Sequence, residues 1–397
     1  MTLRLYRDDP YLLDFEARVV ARRVHDGRPA VVLDRTAFYA EGGGQPWDTG
    51  TLGGVPVVAV IEAGEAVLHV LGGPLDASAV RGHVDAARRR DHRQQHHGQH
   101  LLSRAFVEVA GAQTVSFHLG AEVSSIDLDR EVGEGDRLRA EARVNEVVWA
   151  ARPVRVRTVS RAEAVAAGVR VPDEAGDSVR LVEAEGFDLQ PCGGTHPHNT
   201  AEVGVVAVVG HERYKGGSRV RFVCGARALA ALRTAHSILD RVGASLSSPP
   251  DKLPEAAERL KDQSAAAERR GRDLLERALE GEARRLLAGV TGSPAVVVAS
   301  YDGWPPDELR LLAQKLVALA PCAAFLGARG DKASLVFAQS DGLPFDVPAL
   351  LREAAAAVGG RGGGKGNLAQ GGGDRVEALG PALEAAAAAA RRTLGTS

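Results

Sequence analysis

The sequence is poor in cysteine, and it has neither a long apolar run nor an excess of one charge. Three cysteines, Cys192, Cys224 and Cys322, occur in 397 residues, and so sparse an odd set excludes a disulfide framework. We therefore expect a reducing compartment, where a conspicuous cysteine is a metal ligand or a nucleophile. No stretch reaches the roughly 18 unbroken apolar residues of a membrane helix, and the acidic N-terminus does not fit a signal peptide. These absences predict a cytoplasmic protein with no membrane partner.

The charge balance leaves nucleic-acid binding open. Lys and Arg total 49 against 51 Asp and Glu, but local patches rather than net charge make contact with nucleic acid. The preference for arginine over lysine suits phosphate recognition, and the base composition of the genome would produce it equally well. With 45% apolar residues and roughly 100–200 residues per domain, we expect two to four ordinary globular domains.

The first two regions of a predicted α+β multi-domain chain differ in their periodicity. Residues 1–85 contain short apolar stretches separated by turn residues, which predicts a small β-barrel or sandwich. Residues 86–242 begin with a pattern of helical spacing over 86–111 and then alternate between strand-like and helical pieces. This second region is predicted to be an α+β domain.

Two further regions follow. Residues 243–291 open with a breaker-rich segment, 243–252, and continue with Ala, Glu, Arg and Leu over 253–287. This composition predicts a long helix or helical hairpin, in effect a helical linker or coiled coil, with an apolar stripe that suits a homodimer contact. Residues 292–397 alternate strands and helices around a very Gly-rich segment, which predicts a C-terminal α/β domain that is a second candidate for the homodimer contact.

Two short motifs carry the side chains of a predicted metal site. His96 and His100 lie four residues apart in a predicted helix, so both imidazoles can reach one ion. Cys192 and His196 flank two glycines and a threonine, which allow a tight turn that brings thiolate and imidazole together. Three histidines and one cysteine form a suitable tetrahedral set for zinc. We interpret His92 and His97, on the same helix, as surface groups or as partners of the ligands.

The residues alone leave the role of this metal open. Either pair by itself would more often be a polar pair on a solvated face, and only their combination favours a metal. A set of four protein ligands usually marks a structural zinc, whereas a catalytic zinc keeps one position open. The ion would therefore activate water, anchor the substrate or shape the pocket.

Five segments resemble, in order, the motifs of the alanyl-tRNA editing family and its C-terminal domain. The Gly-rich segment resembles the signature of the DHH-associated domain, and the other four resemble motifs of the editing domain and the β domain before it. The segments are FYAEGGGQPWDTG (38–50), HHGQHLLS (96–103), FDLQPCGGTHPHNTAEVG (187–204), KGGSRVRFVCG (215–225) and GGRGGGKGNLAQGGG (359–373). They span nearly the whole chain. The order is similar to the long form of the free-standing editing factors called AlaX, with no aminoacylation module and no ATP-binding fold before the β domain.

The resemblance implies a zinc-dependent hydrolase that acts in trans. Its substrates would be alanine tRNA wrongly charged with serine or glycine, and its C-terminal DHH-associated domain would grip the tRNA. Two alternatives stay open at this point. One is a deacylase of a different misacylated tRNA, and the other is a non-catalytic tRNA-binding protein with a structural zinc.

The resemblance also assigns roles to individual residues. Gln99, on the helix of the first two ligands, would orient a water or a substrate hydroxyl, and Gln45 would assist at the ester. Gly43 and Gly44 would cradle the CCA end through their amides, although residues 42–46 also fit a simple tight turn. For the Gly-rich segment we predict phosphate contacts from its two cations or, alternatively, a flexible linker. These cations are Arg361 and Lys365.

Two positions depart from the family pattern. Threonine is usual where this chain has His97, and in the family that hydroxyl lies near the pocket and separates serine or glycine from alanine. An imidazole there leaves the amino-acid preference open and would supply a second proton carrier. Ala201 replaces a glycine found in many relatives. His118 is predicted to be either a pocket residue or a core histidine.

Overall fold

A computed structural model describes residues 1–171 and 176–395. The chain divides into two compact units, one ending at Val242 and the other beginning at Gly243. Among the described residues, the first unit contains three apolar cores, one in an N-terminal β region and two in an α+β region. Within the described ranges, none of the helices combines the length and the apolar character needed to cross a bilayer.

The N-terminal region has eight strands, of which six form a closed antiparallel ring, called the β ring below. Its strands are β1 (Leu3–Arg4), β2 (Asp14–His25), β3 (Arg28–Leu33), β4 (Arg35–Thr36), β5 (Gly50–Leu52), β6 (Val55–Ala63), β7 (Ala66–Leu71) and β8 (Ala79–Val84). Six of them pair in the order β2-β3-β7-β6-β5-β8, which closes on itself, and β1 pairs with β4. Burial alternates along β8 with a period of two, as expected where one strand face meets a core.

One histidine is buried inside the β ring. Thr36 Oγ1 accepts a hydrogen bond from the Phe38 N–H, so its own proton is directed to His69 Nε2 at 2.8 Å. The other ring nitrogen, Nδ1, then donates to the Val31 carbonyl at 3.3 Å. Burial lowers the pKa of His69 to about 4, so this imidazole is neutral in the folded chain at neutral pH.

In its described residues, the second region of the first unit holds two sheets and four α-helices. Its elements are α1 (Ala86–Ala110), β9 (Thr114–Leu119), β10 (Ser124–Leu128), α2 (Glu134–Trp149), β11 (Val154–Ser160), α3 (Arg161–Ala166), β12 (Ser178–Ala184), β13 (Asp188–Pro191), β14 (Val206–Tyr214), β15 (Gly217–Cys224) and α4 (Ala226–Leu246). The sheets run β14-β15-β10-β9 and β11-β12-β13. Helix α1 begins at the Asp85 side chain, which accepts two backbone N–H groups, and ends at Gly111 in the left-handed conformation.

A buried ion pair joins α1 to the β ring. Both Arg89 and Asp48 have side chains only 1% exposed, and a guanidinium nitrogen lies 2.5 Å from the carboxylate. Arg89 also donates to the carbonyls of Pro10 and Ala37. Asp48 accepts the Tyr39 backbone N–H. Helix α1 is therefore anchored at its N-terminal end by an ion pair whose two side chains make further hydrogen bonds.

The second unit is a five-stranded sheet covered by helices on both faces. Its elements are α5 (Leu253–Ala288), β16 (Ala295–Asp302), α6 (Pro306–Leu319), β17 (Cys322–Arg329), β18 (Ala333–Gln339), α7 (Val347–Ala357), β19 (Gly360–Lys365), β20 (Leu368–Gly373) and α8 (Leu379–Leu394). The strand order is β16-β17-β18-β20-β19. Helices α7 and α8 contribute to one apolar core, and α5 and α6 to the other.

The structure refines two predictions for residues 243–287. Helix α4 continues to Leu246, so the first part of the predicted breaker segment 243–252 is helical. Of the two predicted forms for 253–287, the structure has one helix of 36 residues.

The Gly-rich segment is a β-hairpin rather than a flexible linker. Its strands β19 and β20 pair in register, with Gly362 opposite Gly371. Added Cβ atoms at those two positions would lie within 3.0 Å of the facing strand's backbone. The missing side chains let the two backbones approach closely, and tertiary pairing with β18 overrides the low strand propensity of glycine.

Candidate metal centre

Helix α1 and the loop after β13 bring the four predicted ligands into one cluster. The ligand atoms of His96, His100, Cys192 and His196 all lie within 4.8 Å of one another. Cys192 Sγ is 3.2 Å from His96 Nε2 and 3.1 Å from His196 Nε2. Around a tetrahedral zinc, such donor atoms would be separated by about 3.4–3.6 Å. The spacing therefore fits one ion with little adjustment of the side chains.

The electrostatics of the cluster favour a thiolate. Burial alone would raise the pKa of Cys192, but the imidazoles of His96, His196 and His100 outweigh it and lower that pKa well below its usual range. For His100 burial acts to lower the pKa, yet the Cys192 sulfur and the Asp188 carboxylate raise it to about 10. Burial lowers the pKa of His196 to about 3. In the metal-free cluster the thiolate is thus paired with a protonated His100, which would release its proton when an ion binds. A thiolate with deprotonated imidazoles is the donor set that zinc prefers.

Two of the three histidines have a polar partner that orients the ring. Gln45 Oε1 accepts a hydrogen bond from the Thr195 N–H at 3.0 Å, and this bond fixes which way the Gln45 amide points. The same oxygen lies 2.8 Å from His96 Nδ1 and therefore accepts a hydrogen bond from it. His96 Nε2 is then unprotonated and faces Cys192. Asp188 Oδ2 lies 3.5 Å from His100 Nδ1. Such outer partners fix the tautomer and ring orientation of metal-ligating histidines.

The loop of the thiolate ligand passes very close to α1. A Cβ added at Gly194 would lie under 3.0 Å from the ring of His96 and 2.9 Å from Gln45 Oε1. At the neighbouring Gly193 an added Cβ would meet nothing within 4 Å. Only the second glycine of this motif is therefore required sterically.

A cavity of about 670 Å³ opens beside the cluster. One face of α1 lines it at helical spacing through His96, Gln99, His100, Ser103, Arg104 and Val107. Gly43, Gly44 and Phe117 also line it, with Cys192 and Gly193 from the loop. Three of the four candidate metal ligands, His96, His100 and Cys192, therefore line the cavity.

Three polar side chains form a hydrogen-bonded chain in this cavity. The Gln99 amide donates to Ser103 Oγ at 2.9 Å, and the Thr114 hydroxyl donates to the same oxygen at 2.7 Å. Because Ser103 Oγ accepts both bonds, its own proton is directed elsewhere. Sequence reasoning missed Ser103 and Thr114, although Ser103 lies seven residues after His96 on the same helix face.

Four other predicted site residues lie on or near this cavity. Gly43 and Gly44 line the cavity and also form a tight turn, while their contact with the CCA end stays a prediction. Gln45 and His97 are buried behind the ligands rather than on the cavity wall. His97 cannot share the face of His96 because adjacent helical residues point about 100° apart.

His118 fits neither predicted environment, because it lies exposed on β9. The two cations predicted to contact phosphate, Arg361 and Lys365, lie in the second unit on β19.

Two parts of the chain match known domain families. Residues 179–221 match the threonyl and alanyl tRNA synthetase second additional domain, and residues 293–392 match the DHHA1 domain. This chain thus combines two domain types, the first of them named after synthetases. The C-Ala domain of Aquifex aeolicus alanyl-tRNA synthetase matches 23% of this chain and 87% of its own, at 28% identity and a TM-score of 0.23.

Full-length relatives identify the family. The alanyl-tRNA editing protein AlaX-L of Pyrococcus horikoshii is 32% identical over 393 residues, which cover 95% of each chain. The alanine–tRNA ligases of Pyrococcus abyssi and Methanoculleus marisnigri are 31% and 34% identical. They align with 97% and 96% of this chain, which spans only 43% of either ligase. The chain belongs to the AlaX-L family of alanyl-tRNA editing proteins.

Proposed function

We propose that this protein hydrolyses the ester bond between a wrong amino acid and alanine tRNA. Serine and glycine are the proposed amino acids. The observation that carries the proposal is the thiolate–imidazole cluster on the wall of a cavity, in a chain related to AlaX-L over 95% of its length. Work on charged tRNA would place the protein in the cytoplasm.

The proposed metal is zinc, held by His96, His100, Cys192 and His196. Three imidazoles and one buried thiolate suit zinc better than calcium or magnesium, which prefer oxygen ligands. When bound, zinc supplies a Lewis acid beside the cavity. The protein's own groups would orient its ligands, since Gln45 and Asp188 contact two of the imidazoles.

Selection of serine over alanine would come from the hydroxyl chain in the cavity. Ser103 accepts hydrogen bonds from Gln99 and Thr114 and can therefore donate its own proton to a substrate hydroxyl. Alanine lacks that oxygen, and a site built to bind a hydroxyl rejects an analogue without one strongly. Glycine is harder to separate from alanine, because one methyl group is worth only about 1–3 kcal/mol.

The proposed tRNA contacts lie at two places. Gly43 and Gly44 line the cavity, where backbone amides without side chains can approach the CCA end. On β19, Arg361 and Lys365 are four residues apart and thus on one strand face, opposite to the face on which Gly362 packs against Leu351. Two cations on a ribbon of small residues suit phosphate contact.

The test is the lifetime of the ester bond in serine-, glycine- and alanine-charged alanine tRNA. With zinc-loaded protein we expect rapid loss of serine and glycine while alanine is spared. Cys192→Ala should lose both zinc and activity. Cys322→Ala, which removes a buried thiol in the second unit, is the matched control and should retain both. A fully active, zinc-free Cys192→Ala protein would refute the proposal.

A second function follows from the four-donor set itself, since closed sets usually hold structural zinc. In that case the protein would bind alanine tRNA and leave all three lifetimes unchanged. If only another charged tRNA is hydrolysed in a wider panel, the proposed substrate is wrong while hydrolysis stands.

A further inference from the structure

The third histidine of the cluster also has an outer partner, and it is another imidazole. His97 Nδ1 lies 3.1 Å from His196 Nδ1. On its other side, His196 Nε2 faces Cys192 Sγ at 3.1 Å. His97 is 1% exposed and sits on the side of α1 that faces away from the cavity, so it cannot touch a substrate there.

The contact between two like nitrogens restricts where the protons lie. A hydrogen bond between two Nδ1 atoms needs one proton, so one ring donates and the other accepts. A neutral imidazole that binds a metal through Nε2 carries its proton on Nδ1. For His196 to be a ligand, its Nδ1–H must therefore donate to His97, whose own proton then lies on Nε2.

The surroundings of His97 argue against a purely structural role. Its Nε2 is buried and has no hydrogen-bond partner among the described residues. A buried polar atom without a partner destabilises the fold, and an apolar side chain of similar size would avoid that cost. Among the described residues, the hydrogen-bond contact of this ring is the one to His196.

We propose that His97 is a positioning residue that accepts the Nδ1–H of His196 and so keeps His196 Nε2 free to bind the metal. The inference rests on the proposed zinc site. Each imidazole ligand then has its own outer partner: the Gln45 amide, the Asp188 carboxylate and the His97 imidazole. His97 thus acts through a ligand instead of carrying protons near the ester.

The test compares variants that keep or remove the acceptor. His97→Asn places an amide oxygen near the position of Nδ1, whereas His97→Leu has similar bulk and no acceptor. His92→Leu is the matched control, because His92 is also buried on α1 and lies outside the ligand cluster. Zinc affinity is measured by competition with a chromophoric chelator, and ligand geometry by the absorption spectrum of the cobalt-substituted protein.

We expect His97→Leu to weaken zinc binding by about 10–100-fold, with an altered cobalt spectrum. His97→Asn should restore most of the affinity, and His92→Leu should match the wild type. Equal affinity of the Leu and wild-type proteins, or equal losses for Leu and Asn, would overturn the inference. Absence of zinc binding by the wild type would overturn it as well.

A measurement on the wild type covers the case in which His97→Leu does not fold. Nitrogen-15 NMR of the zinc-loaded protein should show His196 protonated at Nδ1 and His97 at Nε2, and the opposite tautomers would refute the inference. Failure of the proposed hydrolysis is a separate outcome. A protein that binds zinc with the expected tautomers and leaves charged tRNA intact retains this role for His97.

Discussion

At the scale of single residues, Gly194 controls how closely the thiolate loop approaches α1. Replacing it by alanine would force a Cβ against His96 and the Gln45 amide. We expect Gly194→Ala to displace that ligand and its partner and to weaken zinc binding by at least about tenfold, the lower end of the range for lost outer partners. Titration against a chelator measures this.

The adjacent glycine provides the control for that prediction. Gly193→Ala adds the same atom to the same loop, but nothing lies within 4 Å of it. It should bind zinc like the wild type. If both variants lose affinity equally, backbone freedom rather than the steric contact with His96 explains the effect.

The residue scale also shows what the sequence could and could not predict about the site. His96, His100, Cys192 and His196 were predicted because each pair has a local spacing that a helix or a tight turn converts into proximity. Gln45 as a partner of His96 was not predicted, since 51 residues separate them. Asp188 and Thr195 lie near the ligands Cys192 and His196 in the sequence, but their partners, His100 and Gln45, are distant in sequence, so these contacts were missed.

At the scale of elements, the buried pair of Arg89 and Asp48 holds α1 against the β ring. Arg89→Met would leave the Asp48 carboxylate buried without its cation, which costs about 3–5 kcal/mol. We expect the urea midpoint of the first unit to fall accordingly. Arg90→Met removes an exposed cation one position later and should change stability by less than about 0.5 kcal/mol.

If both arginine variants lost the same stability, the role given to the buried pair of Arg89 and Asp48 would be wrong. In that case loss of positive charge on α1, rather than an unpaired buried carboxylate, would be responsible. The double variant with Asp48→Leu separates the two, because removing both charges should recover part of the loss.

Helices were easier to predict from the sequence than the glycine hairpin. Helix α1 was predicted over 86–111 because its apolar residues recur at helical spacing, and the structure has it over Ala86–Ala110. The glycines of β19 and β20 carry no side-chain pattern, so their strand pairing depends on β18, which is distant in sequence. The proposed homodimer contact through 253–287 stays a prediction.

At the scale of the whole molecule, all twelve histidines lie in the first unit. Burial lowers the pKa of His69 and of His92 to about 4, whereas an unfolded histidine titrates near pH 6.5. Their contribution to stability is therefore present above pH 6.5 and is lost as the pH falls towards 4. Each such group changes the free energy of unfolding by up to about 1.4 kcal/mol per pH unit.

Calorimetry of the metal-free protein at pH 6.5 and pH 5.0 tests this. We expect the transition of the first unit to move to lower temperature while that of the second unit stays nearly constant. His69→Gln should reduce this temperature shift and so identify which transition belongs to the first unit. Equal shifts of both transitions would contradict the assignment to histidine.

The hairpin of β19 and β20 has a consequence for mutational tolerance. Surface positions normally accept substitution freely, yet Gly362, Gly364 and Gly372 leave no room for a single added carbon. Gly363, between two of them, has open space around it. A scan of all substitutions should therefore rank Gly362, Gly364 and Gly372 of this partly exposed ribbon with the protein interior, whereas Gly363 between them should be permissive.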